Sequence, residues 1–257
     1  MIRYAHRGSR TLEDLLRAID IILRSIENST LSIEGGTLLG DLNVNTNVNI
    51  SGTVSASLAK IGDILGGNYF EIEADGTAKF NGDATVWDDL RVPAQNTKLN
   101  PLKSEPNFES LIGGLFALKF DTSNADDESV HFVAQMPHSY KEGSDIEPHI
   151  HWTPDTTNTG NVYWSFEYTI VNIDGTFGAT TTIEITVPAD GIAFKHQLSG
   201  FEMIDGAGLT ISHMIICRLT RRSSSQAADT FTGNACFLEF DFHYIKDTVG
   251  SREETAK

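Results

Sequence analysis

The chain has 257 residues and an ordinary apolar content of 40%, so it can form one large domain or two of usual size. Its formal net charge of −16 argues against nucleic-acid binding through phosphate neutralisation and against attraction to anionic membranes. No apolar run approaches the ~20 residues of a membrane helix, and the start, MIRYAHRGSR, lacks the apolar segment of a secretory signal.

The first ten residues are basic, although the chain as a whole is acidic. They contain Arg3, Arg7 and Arg10 and no carboxylate side chain. One interpretation is an anchor that docks on an acidic neighbouring protein, through these three arginines. The alternative is a solvated, disordered terminus.

The stretch from Thr11 to Glu27 is predicted to be a helix, beginning at a capping-box pair of Thr11 and Asp14. Its apolar residues are spaced 3, 4, 3 and 4 apart, as in a coiled-coil seam: Leu12, Leu15, Ile19, Ile22 and Ile26. The pattern favours an oligomeric bundle. Because two heptads are short for a coiled coil, a single amphipathic helix packed on its own domain is the alternative.

The stretch from Leu42 to Leu58 alternates between apolar and polar residues. Its even positions carry Leu42, Val44, Val48, Ile50, Val54, Ala56 and Leu58, and its odd positions carry asparagine, serine and threonine. A lone ribbon of this kind cannot bury its apolar face or satisfy its edges. We therefore expect several copies to wrap around a common axis as an intertwined β-stalk. The expected trimer seam comprises Leu12, Leu15, Ile19, Ile22, Ile26, Leu42, Val44, Val48 and Ile50.

Two further segments complete the stalk region. The sequence from Tyr69 to Phe80 predicts a hairpin with its turn at Asp75-Gly76, and Trp87 to Pro93 is interpreted as a boundary. A polar connector follows, Asn96 to Asn107. The predicted organisation is an anchor with a coiled-coil helix at 1–30, a β-stalk at 31–94 and a head domain at 95–257.

The head is expected to be a compact antiparallel β-sandwich or jelly roll, which makes the whole chain mainly β. Turn residues separate eight candidate strands: Leu115–Phe120, Val130–Met136, Glu147–Thr153, Val162–Asn172, Thr181–Val187, Ala193–Ile204, Leu209–Arg221 and Ala235–Lys246. Both cysteines, Cys217 and Cys236, lie in apolar runs and are interpreted as buried free thiols, with a disulfide between adjacent strands as the alternative.

The segment GSDIEPHIHW is the one candidate for chemistry. In an extended conformation Glu147, His149 and His151 project from one face, together with Asp145. Two imidazoles at i and i+2 can share a metal ion, with Glu147 as a further ligand. The alternative is an ordinary polar strand face. No other cofactor is indicated, since the sequence contains no phosphate loop, Rossmann fingerprint or nucleophile elbow.

A set of aromatic residues offers a second possible site, for a sugar. Trp152, Tyr163, Trp164, Phe166 and Tyr168 would form a stacking platform if one face were exposed, and core packing is the alternative. The start of GSDIEPHIHW also resembles the first cupin motif. Its later ligands are missing, because Asp155 replaces the expected glutamate, and this leaves a metal-dependent jelly-roll enzyme as a further alternative.

Four segments together resemble a group of tailed-bacteriophage virion proteins of the fibre, spike or appendage type. They are VWDDLRVP, PHSYKEGSDIEPHIHW, WSFEYTIVNIDGTFG and EFDFHYIKDTVGSREE. The resemblance implies a homotrimeric structural protein of the virion, held by its N-terminus and bearing a distal β-sandwich that contacts a host surface or a virion protein. In some trimeric phage spikes, histidines around a threefold axis hold a structural metal, and His149 and His151 would suit this role. The resemblance supplies no catalytic residues, so we expect no enzymatic activity, no nucleic-acid partner and no membrane insertion.

Overall fold

The structure is a computed structural model and describes residues 58–100, 104–123 and 125–257, which belong to one compact unit, Ser55–Lys257. Several predictions lie outside these residues: the arginine anchor, the coiled-coil helix and the stalk positions. They are Arg3, Arg7, Arg10, Leu12, Leu15, Ile19, Ile22, Ile26, Leu42, Val44, Val48 and Ile50. Within the described ranges, no helix is long and apolar enough to cross a membrane.

A small antiparallel sheet comes first, with strands β1 (Ala59–Asp63), β2 (Asn68–Ile72) and β3 (Ala78–Asn81) in that order. The predicted hairpin is confirmed as β2 and β3. Glu73 N donates to Thr77 O at 2.9 Å across its turn, and Gly76 has a φ of +84°, which glycine adopts readily. Strand β1 was not predicted, because Gly62 within it and Gly66 and Gly67 after it are typical of an irregular joint.

Ten further strands form two larger sheets. The six-stranded sheet contains β4 (Val86–Pro93), β5 (Asn107–Ile112), β6 (Leu115–Phe120), β8 (Ile146–Pro154), β11 (Gln197–Gly200) and β13 (Ala235–Lys246). The four-stranded sheet has the order β10-β9-β12-β7, with β7 (Glu128–Gln135), β9 (Thr159–Val171), β10 (Thr181–Asp190) and β12 (Met214–Arg221). All registered pairs in both sheets are antiparallel.

Strand β13 occupies the middle of the six-stranded sheet. One side of it pairs with β8, and the other side pairs first with β6 and then with β4. A register shift between Phe237 and Glu239 separates the two parts. Beyond this bulge Phe240 and Phe242 face the core, whereas Asp241 and His243 face outward.

The two larger sheets pack face to face around an aromatic core. Phe240 of β13 lies between Phe132 of β7 and Phe166 of β9, with ring centroids 5.0 and 4.7 Å apart. Trp152 of β8 meets Trp164 of β9 edge-on at 6.3 Å. The prediction of an antiparallel β-sandwich is therefore confirmed at the level of sheets and core.

One buried ion pair connects Arg221, the last residue of β12, to Asp229 in the following loop. Arg221 and Asp229 are fully buried, and Asp229 accepts from Arg221 Nε at 3.0 Å and from Nη2 at 2.8 Å. The remaining guanidinium donors reach the carbonyl oxygens of Phe120, Phe231 and Gly233 at 2.5–2.9 Å. All five N–H groups of the guanidinium thus have partners, as a buried charge requires.

Three sequence interpretations differ from the structure. Trp87 to Pro93, taken as a boundary, lies within β4 and pairs with β13 over its length. The connector Asn96 to Asn107 ends at the first residue of the unpredicted strand β5. The predicted strand Ala193–Ile204 is reduced to Gln197–Gly200. Both cysteines are free and buried, as expected.

Candidate functional sites

The predicted histidine face lies on the outer surface of the six-stranded sheet. Inward residues of β8 are buried, including Ile150 and Trp152, so the alternate residues Glu147, His149 and His151 point away from the core. This part of the prediction is confirmed. The side chains are only partly exposed, at 33%, 13% and 22% respectively, because neighbouring strands pack beside them.

Asp241 of β13 joins the two histidines. Its Oδ2 lies 3.0 Å from His151 Nε2, and its Oδ1 lies 3.2 Å from His149 Nδ1. The second contact is not a well-aligned hydrogen bond and is mainly electrostatic, since Oδ1 has no hydrogen-bond partner by geometry. His149 Nε2 lies 3.3 Å from Glu147 Oε1, and His151 Nδ1 lies 2.8 Å from His196 Nε2. We call these five residues the histidine row.

Contacts within the histidine row shift the pKa values of His149 and Asp241 in opposite directions. The contact with Asp241 raises the pKa of His149 above its ordinary value, against the effect of burial and with a further contribution from Glu147. Burial opposes ionisation of Asp241, but its contacts with His149 and His151 and their charge outweigh it and lower the pKa of this carboxyl group. Both shifts favour the charged forms of His149 and Asp241 over their neutral forms.

The row also bears on the metal hypothesis for His149, His151 and Glu147. Both ring nitrogens of each histidine lie within 3.3 Å of a protein partner, so a metal ion would have to displace one of these contacts. In the described part of the chain, no group of three or more histidine, cysteine or acidic side chains is placed to hold a metal. Metal binding at these residues stays a prediction.

A second candidate site was not predicted and lies on the outer face of the four-stranded sheet. Two rows of outward side chains cross it, set by the strand register. The first row contains Glu184, Ser165, Thr220 and Ser129, and the second contains Thr182, Glu167, Arg218 and His131. Almost every outward position in these rows therefore offers a hydrogen-bonding group.

Two neighbouring cavities form a groove along this face. One has a volume of about 290 Å³ and the other about 310 Å³, and both are lined by Glu167 and Arg218. His131, Thr169 and Ile216 line the first cavity; Asp127 and Arg222, among other polar residues, line the second. We call the two cavities together the outer groove. The second cavity has a mainly polar lining, which suits a hydroxyl-rich ligand, whereas the accessible lining of the first cavity is more apolar.

Of the five aromatic residues considered as a sugar platform, only Tyr163 and Tyr168 are partly exposed. Trp152, Trp164 and Phe166 are completely buried, which confirms the core-packing alternative for them. Trp87 is instead the exposed tryptophan, at 46%, and it stacks on His243 with ring centroids 4.5 Å apart. Its exposure follows from the outward register of β4.

The small sheet presents a third surface, which is apolar. Register places six apolar residues on one face: Ala59, Ile61, Phe70, Ile72, Ala78 and Phe80. The opposite face is polar and includes a 3.2 Å ion pair between Lys60 and Glu71. None of the six belongs to the buried core formed by the described residues, and Ile61 is 67% exposed. Among the described residues this face is only partly covered: Ile61 and Ile72 are exposed, and the other four are half-buried.

Comparisons with known proteins give weak likenesses. No protein-family model and no curated protein matches the chain. Among solved structures it is similar to a family 35 carbohydrate binding module from Clostridium thermocellum, at 12% identity over 60% of this chain and 97% of that chain, with a TM-score of 0.34. CBM35 from Cellvibrio japonicus Abf62 shares 12% identity over 64% and 100% of the two chains, with a TM-score of 0.31. The structure of infectious bursal disease virus Gx strain shares 10% identity over 67% and 39%, with a TM-score of 0.32. Likenesses at this level carry no argument about function.

Proposed function

We propose that the chain is a non-enzymatic structural protein of a bacteriophage virion. In this proposal it forms a homotrimeric fibre, spike or appendage, held by its N-terminus and exposing the β-sandwich. The observation that carries the proposal is the apolar face of the small sheet, which the described residues cover only in part and which directly follows the alternating stretch Leu42 to Leu58 in the sequence. The sequence resemblance supplies the phage assignment.

The physical reason is the cost of leaving apolar area in water. Burial is worth about 25 cal/mol per Å² of apolar surface, so three copies of the face gain free energy by packing against one another. The net charge of −16 also favours one mode of assembly. Two copies of the chain repel each other where their charged surfaces meet, so contact through the apolar face is preferred. Three copies are preferred because Leu16 and Leu23 widen the apolar stripe of the predicted helix, which suits more than two strands.

Solution mass tests the assembly. We expect the purified chain to have three times its monomer mass of 28.1 kDa by light scattering. Ile61→Asp should lower this mass, because it puts three charges together at a buried contact. Val249→Asp is the matched control, since Val249 is equally exposed, at 71%, and lies outside the small sheet. A monomeric wild-type protein would refute the trimer.

The seam predicted from the helix has its own test. Ile19→Asp places charges at a shared position of the predicted bundle and should also reduce the mass. An unchanged mass for this variant would remove the coiled coil from the proposal. Antibody labelling of purified virions under the electron microscope tests the virion assignment, and the absence of the chain from the particles would refute it.

A carbohydrate-recognising head is the second candidate function. The specific observation in its favour is the outer groove, whose hydroxyl, carboxylate and guanidinium groups are the types that hydrogen-bond to sugars. A glycan array probed with the full chain tests it. Reproducible binding to one glycan class is the expected result, and an array without hits would reject this function while leaving the structural role intact.

A further inference from the structure

We propose that the outer groove binds an uncharged oligosaccharide, with the Arg218–Glu167 pair as its central hydrogen-bonding element. The inference rests on the second candidate function and adds the location, the ligand class and the residues. The groove is defined by residues of a single chain.

The central pair offers donors and acceptors side by side. Arg218 contacts Oε2 of Glu167 through both Nε and Nη2. A guanidinium has five N–H donors, so this contact leaves three, and Glu167 Oε1 lies outside the pair. Adjacent hydroxyl groups of a sugar need such a combination, because each hydroxyl donates once and accepts twice.

The charge of the groove argues for an uncharged ligand. Three carboxylates line it, Asp126, Asp127 and Glu167, against the two guanidinium groups of Arg218 and Arg222. The arginines are also engaged, since Arg222 lies 3.0 Å from Asp127 and Arg218 is paired with Glu167. An anionic glycan would meet a carboxylate beside each arginine, and a free cationic binding surface is therefore lacking among these residues.

His131 adds an uncharged hydrogen-bonding group to the outer groove. Burial, with a smaller contribution from the nearby charge of Arg218, lowers the pKa of His131 below its ordinary value, so its imidazole is neutral at pH 7. A neutral imidazole provides one donor and one acceptor. Ile216, 43% exposed in the same cavity, adds an apolar contact for the C–H face of a sugar ring.

The extent of the groove indicates an oligosaccharide rather than a single sugar. Both cavities are lined by Glu167 and Arg218, and the lining residues run from Ile216 in β12 to Arg222 just after its end. The six residue steps between these two positions cover roughly 20 Å in an extended strand. A ligand that occupied both cavities would pass over the Arg218–Glu167 pair. Substitutions in this pair should therefore weaken ligand binding most.

Conservative variants of the central pair test the inference. The wild-type full chain is screened on an array of neutral and acidic glycans, and the strongest neutral ligand is then titrated by calorimetry. Glu167→Gln and Arg218→Lys should each weaken binding at least tenfold, since each removes a charge-assisted hydrogen bond or the planar donor set. Thermal unfolding of each variant verifies that it is folded.

The opposite sheet supplies a matched control. Arg91 and Glu239 form a similar cross-strand pair on the outer face of the six-stranded sheet, with both hydrogen bonds at 2.6 Å. Glu239→Gln and Arg91→Lys should leave glycan affinity within twofold of wild type. Trp87→Ala should do the same, because Trp87 lies on the histidine side of the sandwich.

The outcomes separate the inference from the function on which it rests. Glycan binding that survives Glu167→Gln and Arg218→Lys, or that is lost only in Trp87→Ala, would refute the groove and keep the carbohydrate-binding function. Binding restricted to sulfated or sialylated glycans would refute the uncharged ligand class. No glycan binding by the wild-type chain would refute both.

Discussion

The Arg221–Asp229 pair allows a quantitative prediction for Asp229→Asn. The substitution keeps the size of the side chain but removes the negative charge beside a guanidinium that is completely buried. Removing one partner of a buried ion pair typically costs about 3–5 kcal/mol, because the remaining charge is left uncompensated. For a folded unit of this size, the loss corresponds to a fall in Tm of roughly 10 °C.

Urea unfolding followed by tryptophan fluorescence measures the effect, because two of the three tryptophans, Trp152 and Trp164, are buried in the same core. The control is Glu239→Gln, which breaks the more exposed pair with Arg91 and should cost less than about 1 kcal/mol. An Asp229→Asn variant as stable as this control would refute the reasoning, since it would mean that the buried charge does not depend on its partner.

Three further predictions concern thiols, pH and tryptophan exposure. Burial raises the pKa of Cys217, and it raises the pKa of Cys236 to about 12, so neither thiol should react with Ellman's reagent until the protein unfolds. The contact of His149 with Asp241 should stabilise the fold most between about pH 4 and 6.5. As the pH rises above 6.5, the ordinary histidine pKa, and through the raised pKa of His149, the imidazole loses its proton and the contact no longer stabilises the fold. As the pH falls below 3.8, the ordinary aspartate pKa, and through the lowered pKa of Asp241, the carboxylate is protonated and the stabilisation is lost as well. The difference in unfolding free energy between wild type and His149→Gln, measured against pH, should follow this window, and a pH-independent difference would contradict it. Acrylamide should quench mainly Trp87, so quenching that persists in Trp87→Phe would contradict the burial of the other two tryptophans.

The sandwich was largely predictable because its strands have strong local patterns. Leu115–Phe120 and Ala235–Lys246 were predicted with the bounds that the structure shows. Strand β4 was missed, because its charged residues Asp88, Asp89 and Arg91 and its final proline look like a polar boundary. Its strand character comes from pairing with β13, about 150 residues later in the chain, and no local pattern reveals such a partner.

In the candidate sites, too, the arrangement of residues on one strand could be predicted from the sequence, whereas contacts between distant strands could not. The shared face of Glu147, His149 and His151 follows from period-two spacing on one strand. Their central partner, Asp241, lies opposite His149 on the neighbouring strand β13, in a register that depends on a bulge the sequence does not indicate. The outer groove combines residues from three strands, β7, β9 and β12, with residues of the adjoining loops, so its outline emerges only from the assembled sheet.

The central position of β13 has a consequence for how the protein is made. On the ribosome, residues emerge in chain order, and strands β8, β6 and β4 leave the exit tunnel before the strand that joins them. Until residues 235–246 have been translated, these strands expose unpaired edges and half of an aromatic core. Closure of the sheet is therefore late and depends on contacts between distant segments, which predicts slow folding and a nascent chain that needs protection from aggregation.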